Sequence, residues 1–67
     1  QAEMLEEMVK SMKVFLDYRQ RYYGIDGTED KNLLESYLLQ NNGTAIRQKL
    51  EEYKKWWAGN KGKAISL

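Results

Sequence analysis

The side chains able to do covalent chemistry are few. Ser11, Ser36 and Ser66 carry hydroxyls, but the 67-residue chain has no His and no Cys. A serine has no imidazole to activate it, and thiolate nucleophiles, disulfides and zinc sites built on Cys or His are excluded. Carboxylates could act as acid and base, yet Glu6/Glu7 and Glu51/Glu52 are adjacent pairs, and adjacent helical residues point about 100° apart. The stretch Asp26-Gly27-Thr28-Glu29-Asp30 has the outline of a calcium loop. An EF-hand would need ligands where Tyr22 and Gly24 stand and a glutamate where Leu33 stands, so the motif fails. No glycine-rich phosphate loop is present. The chain reads as non-catalytic, with no cofactor and no metal.

What remains is the chemistry of contact. Aromatic and basic residues interleave twice, at Tyr18-Arg19-Gln20-Arg21-Tyr22-Tyr23 and at Tyr53-Lys54-Lys55-Trp56-Trp57, with Lys61 and Lys63 beyond. Ring faces beside positive charge can hold a nucleic-acid backbone and stack its bases, provided the two stretches converge in space. Arg19, Arg21, Lys54, Lys55, Lys61 and Lys63 would be the contacts. Against this, the formal net charge is only +1, and an acidic N-terminal face would repel phosphate. Arg19 lies in the middle of an apolar face. Its stem is expected to cover apolar surface while the guanidinium reaches water or a C-terminal carbonyl, stacking on Tyr22, Tyr23 or Trp57. The sharper alternative is a buried or partner-facing arginine that reads a carboxylate or phosphate.

These residues sit on helices. Leu5, Met8, Val9, Met12, Phe15, Leu16, Tyr22 and Tyr23 share one wide face of a helix expected over 3–23, with Glu3, Glu6 and Glu7 at its acidic start and Arg19 and Arg21 at its basic end. Gly24 predicts a left-handed stop, and Thr28 is the expected cap of a second helix over 29–41. Its apolar face is Leu33, Leu34, Tyr37 and Leu38. Leu39 points nearly the opposite way. Asn41-Asn42-Gly43 marks a short corner, with Thr44 as the expected cap of a third helix over 45–57. On that helix Ile46, Leu50, Tyr53 and Trp57 form one stripe, while Trp56 lies roughly 90° from its centre. Residues 32–47 resemble the first half of Fis-type helix-turn-helix domains, an apolar helix followed by an Asn/Gly turn and a Thr/Arg helix. No helix of recognition type follows Trp57, so no family is assigned on that likeness.

The expected fold is therefore all-α, a small three-helix bundle with a short helix-turn-helix corner. Residues 1–58 form a single helical domain, and 59–67 a flexible basic tail in which Ile65 and Leu67 could dock back. Charge divides unevenly, with net −3 over residues 1–30 and +4 over 31–67, and the two halves are expected to fold against each other. No apolar run approaches the roughly 20 residues of a membrane span. The expected setting is cytoplasmic or otherwise intracellular, without membrane contact. Met4, Met8 and Met12 fall in one row at helical spacing, either gap-filling core or an adaptable binding face. The apolar residues least suited to a single compact core are Met4, Met8, Leu39 and Trp56, and they are the candidate surface of a protein-interaction or assembly module. Its partner would be another protein or a second copy of the chain, giving a homodimer. A nucleic-acid-binding accessory domain is the alternative.

Overall fold

A computed structural model describes residues 4–63 of the chain. Among the described residues are three helices and no strand: α1 (Leu5–Tyr23), α2 (Thr28–Leu39) and α3 (Gly43–Asn60). Three of their boundaries are set by identifiable side chains or glycine. Gly24 takes the left-handed conformation (φ 69°, ψ 23°) and donates its N–H to the Gln20 carbonyl at 3.0 Å, closing α1 where the glycine predicts. The start of α2 differs from expectation. Thr28 is its first helical residue, and Asp26 is the acceptor, taking bonds from the Thr28 N–H at 3.0 Å and the Thr28 hydroxyl at 2.8 Å. A carboxylate two residues upstream is a stronger acceptor than the threonine oxygen. Those two bonds, aided by the charge of Lys31, hold the Asp26 carboxyl below its ordinary range.

The cap of α3 also moves upstream, from Thr44 to Asn42, whose Oδ1 accepts from the Ala45 N–H at 3.1 Å. Asn41, at φ 54°, takes the left-handed turn position that Asn tolerates better than most residues. At its other end α3 continues beyond Trp57. The Asn60 amide donates to the Trp56 carbonyl at 2.7 Å and the Lys61 N–H to the Trp57 carbonyl at 2.9 Å. Gly59 and Asn60, expected in the tail, thus belong to the last turn of α3. Glu3, Ile65, Ser66 and Leu67 lie outside the described residues.

The helices run up, down and up, so α1 and α3 are parallel and α2 is antiparallel to both. Leu16, Leu34 and Ile46, one from each helix, are fully enclosed at the centre. Val9, Met12, Leu5 and Tyr53 extend that core along the axis, with Met8, Phe15, Tyr37, Leu38 and Leu50 packed against it. Burying each of the central aliphatics contributes roughly 2 kcal/mol. The methionine row grades from core to solvent: Met12 is enclosed, Met8 half-buried and Met4 69% exposed. Charge pairs clasp α2 to α1, with Lys13 bound to Glu35 and Lys31 to Asp17. These cross-helix partners displace the Lys13/Asp17 pair that i, i+4 spacing alone would suggest. Lys31 and Lys49 of the basic half meet Asp17 and Asp30 of the acidic half, so part of the charge asymmetry cancels inside the fold.

A buried arginine and an open apolar groove

Arg19 is inside the protein, 8% exposed. Its Nη2 lies 3.2 Å from the Asp30 Oδ2, and the other Asp30 oxygen lies 3.9 Å from Lys49 Nζ, so one carboxylate on α2 joins α1 to α3. The guanidinium carbon stands 5.2 Å from the Trp56 ring centroid, 5.6 Å from Tyr53 and 5.8 Å from Phe15. Of the two readings of Arg19, burial against a carboxylate is the one realised, and the carboxylate is the protein's own. The expected stacking partners are replaced as well: α1 turns Arg19 toward α3, away from its own Tyr22 and Tyr23, and on α3 the guanidinium lies over Trp56 in place of Trp57. The Tyr53 hydroxyl and Arg19 Nε are buried without a hydrogen-bond partner among the described residues. Burial first, and the Asp30 charge second, push the Tyr53 phenol well above its ordinary pKa.

The aromatic ends of α1 and α3 do converge. Tyr18 meets Trp57 at 5.7 Å, Tyr23 meets Trp56 at 4.8 Å, and Phe15 meets Trp56 at 5.9 Å, all three edge-on. Trp56 and Trp57 are both half-buried, because α1 spreads Phe15 and Tyr23 beneath one ring and Tyr18 beneath the other. The Tyr23 hydroxyl is enclosed by this packing, which raises its pKa, and the nearby Tyr18 adds to the shift. Around this pole Arg21, Lys54, Lys55, Lys61 and Lys63 are exposed. Arg21 lies over the Tyr22 ring at 5.5 Å, and Lys54 faces Glu51 at 3.5 Å. Arg19 is withdrawn from this surface by Asp30.

The four residues expected to form one contact surface are divided between the two ends of the bundle. Met4 and Leu39 are 69% and 86% exposed at the pole where α1 begins and α2 ends. Met8 is packed against the core, and Trp56 lies beside Arg19 and Tyr23 at the other pole. An open apolar groove of about 560 Å³ lies elsewhere, between α1 and α3. Ser11, Val14 and Tyr18 line one wall, Leu50, Lys54 and Trp57 the other, and Met12, Phe15 and Tyr53 the floor. Val14 is 69% exposed here. It lies outside the main apolar stripe of α1, so the periodicity of that helix does not single it out. Its one available signal was the spacing of Ser11, Val14 and Tyr18, which makes a second, narrower row beside that stripe.

Among the described residues no group of carboxylates could hold a metal ion, and no helix is long and apolar enough to cross a membrane. Comparison with known proteins returns nothing: no family model, no curated protein and no solved structure matches the chain.

Proposed function

We propose that this chain is a small non-catalytic protein-interaction module that receives a helix of a partner protein in the groove between α1 and α3. One observation carries the reading. Val14 and Tyr18 on α1 and Leu50 and Trp57 on α3 leave an apolar trough open along the bundle, while Leu34, Tyr37 and Leu38 of the α2 stripe and Ile46 of α3 are used internally and Leu33 is left 37% exposed. From Ser11 to Tyr18 the trough is about 10 Å long, two helical turns, which suits the i, i+3 or i+4, i+7 anchors of one amphipathic helix. A ring such as Trp57 at the edge of a pocket is a favoured anchor for such contacts.

The test is a titration of the isotope-labelled chain with a leucine-rich amphipathic helical peptide, read by amide chemical shifts. The expected result is a set of changes centred on Val14, Tyr18, Leu50 and Trp57, abolished by Val14→Asp with helicity unchanged. Shifts confined to α2, or none at saturating peptide, would sink the reading. Self-association would start from Met4 and Leu39 at the far pole, and light scattering across concentration measures it.

A second reading rests on the basic and aromatic pole. Arg21, Lys54, Lys55, Lys61 and Lys63 could follow a nucleic-acid backbone beside the rings of Tyr22 and Trp57, without Arg19. It requires affinity for DNA or RNA that falls steeply with salt.

A further inference from the structure

We propose that the groove selects an acidic helix and sets its direction: the occupant carries carboxylates in its first turn and lies antiparallel to α1 and α3. This rests on the helix-docking reading above and adds the partner's chemistry. Among the described residues lining the groove, Lys54 is the one that is charged. One turn beyond Tyr18 on α1 stands Arg21, and one turn beyond Trp57 on α3 stands Lys61, both exposed. The groove therefore ends in two bases, Arg21 and Lys61, at the Trp57 pole, while Lys54 stands midway along it, 3.5 Å from Glu51. Toward its other end Glu7 and Lys10 on α1 face each other at 3.5 Å and together offer no net charge.

The backbone adds a second asymmetry. The C-termini of α1 and α3 both lie at the Trp57 pole, and a helix C-terminus carries partial negative charge. An incoming helix meets that pole best with its N-terminus, whose partial charge is positive and whose first turn favours Asp and Glu. The same carboxylates then reach Arg21 and Lys61. The result would be a four-helix arrangement in which the occupant's dipole opposes those of α1 and α3. A second copy of this chain is a poor occupant, because Leu34 and Ile46, which centre the stripes of α2 and α3, are fully enclosed in its own core.

The probes are three synthetic amphipathic peptides of about 14 residues with leucines at i, i+3 and i+7. One has glutamates in its first turn, one has them in its last turn, and one has lysines in place of glutamates. Affinity is read from tryptophan fluorescence, and direction from a nitroxide at the peptide N-terminus that broadens nearby amide signals. The first peptide should bind roughly ten-fold tighter than the others at low salt, the scale expected of a few partly screened charge contacts. Lys61→Glu should remove that advantage, and the nitroxide should broaden Trp57 rather than Ser11. Equal affinities for all three, a preference for lysine, or broadening at Ser11 would overturn the inference while leaving the groove reading standing. Failure of every peptide to bind would remove both.

Discussion

At the scale of single residues, the pair formed by Arg19 and Asp30 is asymmetric, and its two halves should respond differently to removal. Asp30 is about a quarter exposed and also faces Lys49, whereas the Arg19 side chain is 10% exposed with Asp30 as its salt-bridge partner among the described residues. Asp30→Ala leaves a cation enclosed among rings without its counter-ion and should cost about 3 kcal/mol. Arg19→Met keeps the volume and leaves a carboxylate with another partner, so about 1 kcal/mol is expected. Urea denaturation of both variants reads the order directly, and equal losses would mean that the pair is not desolvated. Tyr53, on the same cluster, should couple the fold to alkaline pH. Its phenol is raised by burial and by Asp30, so the folded chain keeps a proton that the unfolded chain sheds near pH 10. Stability from the neutral phenol is complete below about pH 10 and declines above it. The melting temperature should fall less steeply above pH 10 in Tyr53→Phe than in the unaltered chain, and parallel slopes would exclude the coupling. Periodicity made part of this cluster legible, since it put Arg19 within an apolar face. Which carboxylate would meet it was not, because Asp30 comes from another helix whose rotation no local spacing specifies.

At the scale of elements, the three helices follow from 3.6-residue periodicity, and their order, corner and approximate lengths follow with it. Their starts do not. Neither expected threonine supplies its cap: Asn42 caps α3, and α2 begins after Gly27 with Asp26 holding Thr28 in a turn, because each connection offers several competent acceptors and the one that fits the turn prevails. Asn42→Ala should therefore destabilise the chain by about 1 kcal/mol, and Thr44→Ala by far less; a larger loss at Thr44 in thermal unfolding would reverse the assignment. Gly27 carries a constraint of another kind. It is buried where the α1–α2 connection crosses Leu16, and a Cβ there would stand 3.1 Å from the Leu16 Cβ. Leu16 is fully enclosed and has little room to yield. Gly27→Ala should cost about 1 to 2 kcal/mol through overpacking, and a neutral result in denaturant titration would show that the connection can shift. From the sequence Gly27 is legible only as a turn residue, since the close approach depends on how α2 returns along α1.

At the scale of the whole molecule, size decides how strongly an occupant of the groove would be felt. A chain of 67 residues has a total stability of roughly 3 to 10 kcal/mol. A ligand that binds only the folded state at one hundred times its Kd adds about 2.7 kcal/mol, a large fraction of that total. For a domain this small each kcal/mol moves the melting temperature by about 4 to 8 °C. A saturating acidic helical peptide should therefore raise Tm by about 10 to 20 °C. The groove was hidden from the sequence because it belongs to no helix. It exists only because α1 and α3 run parallel with α2 on their other side, which leaves Val14 and Leu50 facing across an uncovered seam. The same geometry makes the calorimetric test specific. Val14→Asp sits on exposed surface and should leave the Tm of the free chain nearly unchanged while erasing the peptide-induced rise. If the rise survives Val14→Asp, the peptide is stabilising the bundle from another face, and the pole formed by Met4 and Leu39 becomes the surface to probe. If no rise occurs at any peptide concentration, the seam is closed to helices and the α1–α3 groove has no docking role.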